Sequence, residues 1–243
     1  MRCIYKLRVV ISKGAKLAKT PPLKKKLAAE FIGTFLFVFV GAGAVVATQF
    51  LSPSYPSLLV IAFANGLGLA LAISVALNIS GGHINPAVTI AAWATKMINT
   101  SEAVYYMVAQ IIGAIAAGFL IAGLFPAATG ASVFYGTPTL SPSINVLQGI
   151  GLEAVMTFFL VFVIFGTIVD KRAPRLGGLL AGLTVVVDVL AGGVFTGAAM
   201  NPARAIGPAI ASMHLTNWYV YWTGPIIGAV LAALIYTYLS EGK

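Results

Sequence analysis

The chain has 243 residues, of which 59% are hydrophobic and only 9% are charged. Soluble globular proteins are about 45–50% apolar and about 25% charged, so this composition excludes a soluble monomer. The mean hydropathy of +0.97 and apolar runs of about 20 residues indicate an all-α membrane protein with several spans. One cysteine (Cys3) and two histidines (His83 and His214) provide no disulfide framework and no metal-ligand cluster.

A formal net charge of +9 is typical of nucleic-acid-binding proteins, but here nine of the fifteen basic residues precede residue 27. The positive charge is therefore concentrated in the N-terminal segment. We therefore predict a basic cytoplasmic tail over 1–26 and no nucleic-acid partner. Lys6, Arg8 and Lys13 interrupt the apolar core that a signal peptide needs. The tail is interpreted as an orientation signal, with contact to anionic membrane lipids as the alternative.

After the tail, apolar segments long enough to cross a bilayer predict six spans, at about 27–48, 57–78, 102–124, 146–169, 178–195 and 216–239. With the N-terminus in the cytoplasm, the short C-terminal tail at 240–243 is also cytoplasmic. Lys96, Lys171 and Arg172 then lie on the cytoplasmic side, as the positive-inside rule requires. Arg204 breaks the rule, because it belongs to a very apolar outward connection, and such a residue indicates a functional site.

The sequence contains two related halves, about 27–124 and 146–239. Residues 30–40 (EFIGTFLFVFV) match residues 153–163 (EAVMTFFLVFV) at 6 of 11 positions. The tripeptide Asn-Pro-Ala also occurs once in each half, at the residues Asn85, Pro86, Ala87 and Asn201, Pro202, Ala203. Three spans per half, an odd number, predict that the second half is inverted in the membrane relative to the first.

Each Asn-Pro pair predicts the start of a helix, with asparagine as the N-cap and proline at the first helical position. The apolar stretch that follows has about ten residues and cannot cross a bilayer, whereas two such half-helices placed end to end can. The preceding residues, 80–84 and 196–200, are predicted to be non-helical with unpaired carbonyls. At membrane depth this is tolerated only beside water, so an aqueous path is implied.

The segments SGGHINPAV and TGAAMNPAR closely resemble the motifs of the aquaporin family of water and small-solute channels, and the resemblance extends over residues 27–239. It implies six transmembrane helices plus two re-entrant half-helices, no enzymatic activity, no cofactor and a homotetramer in the cell membrane. The long basic N-terminus suggests a prokaryotic member, similar to the archaeal aquaporin M group.

The resemblance also implies roles for the motifs. Asn85 and Asn201 meet at the pore centre and donate hydrogen bonds to a passing water. Glu30 and Glu153 accept hydrogen bonds from the loops, with a proton-coupling role as the alternative. A ladder of loop carbonyls accepts hydrogen bonds from water at Gly81, Gly82, His83, Ile84, Thr196, Gly197 and Ala199.

By the same resemblance, Arg204 is the arginine of the selectivity filter, and Asn65, Val189 and Ala198 are its other members. Water channels usually have Phe and His where Asn65 and Val189 stand, and glycerol channels have Trp and Phe. We therefore predict a wider filter, unless another side chain fills the gap, in which the donor and acceptor of Asn65 form a polar wall for solutes.

In the family, a second set of positions separates water channels from glycerol channels. Here these positions carry the residues of water channels, namely Ala205, Ala209, Tyr221 and Trp222. The prediction is a proton-excluding water channel whose filter also passes small neutral solutes. The alternative is a facilitator mainly for glycerol, other small uncharged solutes or gases. An ion-coupled secondary transporter is more remote, because it needs substrate or ion ligands at the midplane. Asp188 is expected to pair with a neighbouring helix, with direct solute contact as the alternative.

Overall fold

A computed structural model describes residues 21–53, 57–174 and 176–240, and all regular secondary structure in these ranges is helical. This confirms the predicted all-α fold. The helices, in chain order, are α1 Leu23–Leu51, α2 Leu58–Ser80, α3 Pro86–Ala94, α4 Thr100–Leu124, α5 Ala127–Ser132, α6 Val146–Ile164, α7 Gly177–Thr196, α8 Pro202–Ser212 and α9 Val220–Ser240. A π-helical turn, Phe165–Val169, extends α6.

Six of these helices (α1, α2, α4, α6 with its π turn, α7 and α9) are long and apolar enough to cross a membrane, as predicted. Two boundaries differ from the prediction by four residues, and the others differ by three or fewer. The first helix begins at Leu23, so Lys24–Lys26, which the sequence places in the tail, form its first turn. Within that turn, Lys26 Nζ donates to Glu102 Oε1 at 2.7 Å. The sixth span begins at Val220 rather than at residue 216. The rest of the predicted tails, 1–20 and 241–243, lies outside the described residues.

Glycines allow close approach of helices at equivalent places in the two halves. A side chain at Gly113 of α4 would overlap the carbonyl oxygen of Phe31 in α1, and one at Gly228 of α9 would overlap that of Ala154 in α6. In lipid, helices associate through such small-residue contacts, because there is little hydrophobic drive between them. The repeat seen in the sequence is therefore also a repeat of helix packing.

The two half-helices interlock the halves. The first, α3, packs mainly against α9, and the second, α8, packs mainly against α4. In the second contact, a side chain at Gly207 of α8 would overlap the Ala114 carbonyl oxygen in α4, and one at Gly118 of α4 would overlap that of Gly207. Each half therefore completes the packing of the other half.

We call the side of the bundle at which α1 begins and α2 ends the N-terminal face, and the other side the opposite face. A loop at the N-terminal face follows the π turn and is closed by Asp170. Its carboxylate accepts hydrogen bonds from Arg172 Nε at 2.8 Å and from the Tyr236 hydroxyl at 2.9 Å. The hydrogen bonds from the Arg172 side chain hold the pKa of Asp170 well below its usual range.

Candidate functional site

Asn85 and Asn201 cap the two half-helices in the way that the sequence predicts. Both have extended backbone, with φ near −150° (−151° and −149°), and both are followed by proline at the first helical position. The side-chain oxygen accepts the backbone N–H two residues further on, at 2.8 Å for Asn85 and 3.0 Å for Asn201. Each asparagine is only 2% exposed, so the two caps lie inside the bundle.

The amide nitrogens of the two asparagines bind the opposite loops. Asn85 Nδ2 donates to the Met200 carbonyl at 2.9 Å, and Asn201 Nδ2 donates to the Ile84 carbonyl at 2.9 Å. These two bonds bring the N-termini of α3 and α8 together. Each amide has two hydrogens, and the second has no protein acceptor among the described residues.

The loops that precede the caps share an unusual backbone. Left-handed φ values at equivalent positions prevent either loop from continuing the preceding helix. The equivalent pairs are Gly81 and Gly197 (94° and 81°), Gly82 and Ala198 (63° and 45°), and Ile84 and Met200 (56° and 51°). Ala198 thus adopts a strained conformation where the first loop has a glycine.

Four of the carbonyls predicted to be unpaired have protein donors. Those of Ser80 and Met200 accept from Tyr106 and Asn85, and the other two belong to the predicted ladder. The Ile84 carbonyl binds Asn201, and the Thr196 carbonyl accepts from the Tyr221 hydroxyl at 2.8 Å. The prediction is wrong for these two because Thr196 is the last residue of α7 and Ile84 is part of the loop crosslink. The other carbonyls of the predicted ladder accept no protein hydrogen bond within the described ranges, namely those of Gly81, Gly82, His83, Gly197 and Ala199.

Glu30 of α1 is fully buried and accepts four hydrogen bonds, three from residues 80–84 and one from α4. Its Oε1 accepts from Ser80 Oγ at 2.6 Å and from the His83 N–H at 2.9 Å. Its Oε2 accepts from the Ile84 N–H at 2.7 Å and from Gln110 Nε2 at 2.7 Å. A buried carboxylate needs such donors.

Glu153 of α6 is equally buried and holds the second loop, but it has only three donors. They are Thr196 Oγ1 at 2.7 Å, the Ala199 N–H at 2.9 Å and the Met200 N–H at 2.7 Å. The position equivalent to the glutamine of the first half is Pro225, which has no polar side chain. The two halves therefore differ in the support of their loops.

Two tyrosines at equivalent positions bind the last carbonyls of the helices before the loops. Tyr106 donates to the Ser80 carbonyl at 2.7 Å, and Tyr221 donates to the Thr196 carbonyl at 2.8 Å. Sequence reasoning missed Tyr106 entirely and placed Tyr221 only in the second family set. Extending the comparison of the two halves to residues 106 and 221 would have found this pair.

Arg204, in the first turn of α8, is only 4% exposed, and two distant elements bind its side chain. Its Nη1 donates to the Gly136 carbonyl at 2.9 Å, and its Nε donates to Asn65 Oδ1 at 3.3 Å. Gly136 has a φ of 78° and packs so closely on the backbone of Ala42 that a side chain would not fit. Sequence reasoning missed Gly136, because nothing in its local sequence indicates a partner 68 residues away.

An open cavity of about 460 Å³ lies at the opposite face, and Arg204 and Val189 both line it. Asn65 and Ala198 do not line this cavity, and each is 6% exposed. Asn65 joins Arg204 directly, while Ala198 follows Gly197, which is part of the cavity wall. The structure therefore places two of the four predicted filter residues in the wall of one cavity and the other two next to residues of that wall.

Asp188 does not make the predicted pairing. It is 4% exposed, and its Oδ2 is buried without a hydrogen-bond partner in the part of the chain that the structure describes. The second family set lies elsewhere, around a small cavity of about 10 Å³ behind α8 that Ala205, Ala209, Tyr221 and Trp222 help to line. These four residues are thus separate from the Arg204 cavity.

Over the residues that the structure describes, six membrane-length helices in two inverted halves, with two half-helices joined at their N-termini, define a membrane channel of the inverted-repeat class. The family model of the Major intrinsic protein matches residues 17–236, and the chain belongs to this family. This confirms the resemblance to the aquaporins.

Two similar plant proteins are a probable aquaporin TIP3-2 of Arabidopsis thaliana and an aquaporin TIP4-4 of Zea mays. The first is 42% identical over 227 residues, which is 87% of this chain and 82% of that protein. The second is 43% identical over 214 residues, 86% of this chain and 83% of that protein. Because neither relative bears on a prokaryotic origin, that origin stays a prediction.

Among solved structures, the aquaglyceroporin from Plasmodium falciparum has a similar fold, with a TM-score of 0.78. The match covers 88% of this chain and 96% of that chain at 24% identity, so it bears on the fold alone. Together these findings establish a multi-pass membrane protein with the aquaporin fold.

Proposed function

We propose that the chain is a passive, proton-excluding channel for water whose filter also admits small neutral solutes. The observation that carries the proposal is the pair of hydrogen bonds from Asn85 and Asn201 to the opposite loops, which hold two helix N-termini together inside the bundle. Each helix N-terminus is equivalent to roughly half a positive charge. A cation at this point is therefore repelled from both directions.

Water passes this point because the remaining amide hydrogens of Asn85 and Asn201 bind the oxygen of a single central water. That water then accepts no proton from its neighbours, so a proton cannot move along a water chain. On either side of the centre, the carbonyls without protein donors accept hydrogen bonds from the water.

At the filter, Arg204 uses two of its five N–H donors for Gly136 and Asn65. The other three are available to a solute in the cavity. Because Val189 and Ala198 are small, the opening has room for a solute such as glycerol in addition to water. This also supports the second candidate function, a facilitator mainly for glycerol or a similar small uncharged solute.

The experiment is osmotic swelling and shrinkage of liposomes that contain the purified protein. We expect rapid shrinkage without any ion gradient, glycerol entry well below water flux and proton conductance equal to that of empty liposomes. Water flux at the level of empty liposomes would refute the proposal. Flux that requires an ion gradient would favour the coupled transporter instead.

The role of the half-helix junction is tested with Asn201→Asp. A carboxylate still accepts the N–H groups of α8, but it has lost the amide donors and adds a negative charge where the two helix N-termini meet. We expect proton or cation conductance to rise above background. The matched control is Asn78→Asp, because Asn78 is an exposed asparagine in α2, and its conductance should stay at background.

We also propose that the N- and C-termini are cytoplasmic and that four copies assemble in the lipid of the cell membrane. Lys24–Lys26, Lys96, Lys171 and Arg172 lie in the first turn of α1 or in connections at the N-terminal face, which supports this orientation. In this arrangement the channel domain comprises 27–239, the first turn of α1 and Ser240, and the remaining residues at either end are its tails. Protease access to oriented vesicles tests the orientation, and native mass spectrometry tests the tetramer.

A further inference from the structure

We propose that Asn65 is a positioning residue that fixes the plane of the Arg204 guanidinium and offers no amide donor to the solute. The inference rests on the proposed function, because it assigns a role within the filter of that channel. It also changes the expectation from the sequence, in which Asn65 forms a polar wall for solutes.

The amide of Asn65 has its hydrogen bonds filled by protein. Its Nδ2 donates to the Ile61 carbonyl at 2.9 Å and lies 3.4 Å from the Gly41 carbonyl. Its Oδ1 accepts from Arg204 Nε at 3.3 Å. An amide nitrogen has two hydrogens, so both donors of Asn65 point to backbone oxygens and none remains for a solute.

The guanidinium of Arg204 is planar, so two anchors at different nitrogens fix its orientation. One anchor is Nη1 on the Gly136 carbonyl, and the other is Nε on Asn65. Without Asn65, only the first anchor and the backbone cap of α8 remain. The side-chain torsions can then turn the guanidinium away from the opening and free Nε–H for a solute.

Gly41 of α1 makes room for this arrangement. A Cβ atom at Gly41 would lie 2.8 Å from Asn65 Cγ and still closer to Oδ1. Real Cβ atoms do not approach other heavy atoms so closely, so in Gly41→Ala the Asn65 amide has to rotate. Gly41→Ala therefore disturbs the clamp on Arg204 while the chemistry of Asn65 is unchanged.

The experiment measures the ratio of glycerol to water permeability in liposomes for Asn65→Leu, Gly41→Ala and the double variant. Leucine has the same branching as asparagine and a larger volume, so an increase in the ratio comes from lost hydrogen bonds and not from added width. We expect each single variant to raise the ratio by about threefold to tenfold, the range that corresponds to loss of one ordinary hydrogen bond. Because both changes release the same contact, the double variant should show no further increase.

The matched control is Gly123→Ala in α4, where an added Cβ atom meets no atom within 4 Å, and its ratio should equal that of the native protein. If Asn65 instead forms a wall that binds solute, Asn65→Leu lowers the ratio and Gly41→Ala does not, and the inference is wrong. Additive effects in the double variant would also overturn it. Should Gly41→Ala fail to fold, the direction of change in Asn65→Leu alone decides. Failure of the proposed function would appear separately, as absent water flux in the native protein.

Discussion

The unequal support of the two re-entrant loops predicts unequal effects of the same substitution. Glu30 and Glu153 hold equivalent loops, but a glutamine (Gln110) binds only the first carboxylate. We compare Glu30→Gln with Glu153→Gln, which preserve size and replace one carboxylate oxygen by an NH2 group. In both variants this NH2 group faces a backbone N–H that formerly donated to the carboxylate.

The magnitudes follow from the contacts that are lost. In Glu153→Gln, the buried Met200 N–H loses its charged acceptor, and a buried donor left without acceptor costs about 1–3 kcal/mol. We therefore expect a loss of about 3 kcal/mol in the free energy of unfolding, at the upper end of this range. In Glu30→Gln, rotation of the Gln110 amide brings its Oε1, which has no partner, to accept from the new NH2 group. The rotation also removes the bond from Gln110 Nε2 to Thr89 Oγ1, and the Thr89 hydroxyl replaces it by turning to donate to Oε1. In total this recovers about one hydrogen bond, or about 1 kcal/mol.

The assay is the midpoint temperature of unfolding in detergent, followed by water permeability in liposomes. For a chain of this size, 1 kcal/mol corresponds to about 2–4 °C, so Glu153→Gln should have a midpoint about 3 °C below that of Glu30→Gln. In the background Gln110→Leu, the two variants should become equal. The reasoning is refuted if Glu30→Gln is the more destabilised variant, or if Gln110→Leu leaves the difference unchanged.

Three further predictions concern the filter and the loop at the N-terminal face. Val189→His adds bulk beside the cavity and should reduce glycerol entry, measured by vesicle reswelling, more than water flux; an unchanged ratio would contradict the wide-filter interpretation. Mercurials should inhibit water flux through Ala198→Cys, and flux through the native protein should be insensitive; inhibition of the native protein that vanishes in Cys3→Ser would contradict this. Because Asp170 has a lowered pKa, its contact with Arg172 is complete above the ordinary pKa of a carboxyl and is lost only as the pH falls through the lowered value. The difference in unfolding midpoint between the native protein and Arg172→Ala should therefore be constant from pH 8 to pH 5, and a difference that disappears between pH 7 and pH 5 would be evidence against this contact.

The sequence predicted the six spans and the two capped half-helices because these features depend on local composition. A run of about 20 apolar residues has few alternatives to a membrane helix. Asn85 and Asn201, each followed by proline, similarly determine where a helix starts. The inversion of the second half followed from counting spans, without any knowledge of packing.

The parts that could not be predicted depend on contacts between distant residues. The bond between Asn65 and Arg204 joins residues 139 positions apart. From residue type alone, Asn65 had free donors, and only the positions of Gly41 and Ile61 show that both are used. The bond from Asn201 to the Ile84 carbonyl could not be predicted for the same reason, since Asn201 belongs to the other half of the chain.

The reciprocal bonds of Asn85 to Met200 and of Asn201 to Ile84 also constrain biosynthesis. A chain is made from its N-terminus, and its early segments enter the membrane before the late ones exist. The side-chain nitrogen of Asn85 therefore has no Met200 carbonyl to bind until another 115 residues have been made. Until then, the first re-entrant loop has unsatisfied polar groups within the bilayer, where each such group costs several kcal/mol. Final insertion of this loop is thus coupled to synthesis of the last third of the chain. A chain that stalls on the ribosome before residue 200 cannot form the two hydrogen bonds that join the half-helix N-termini.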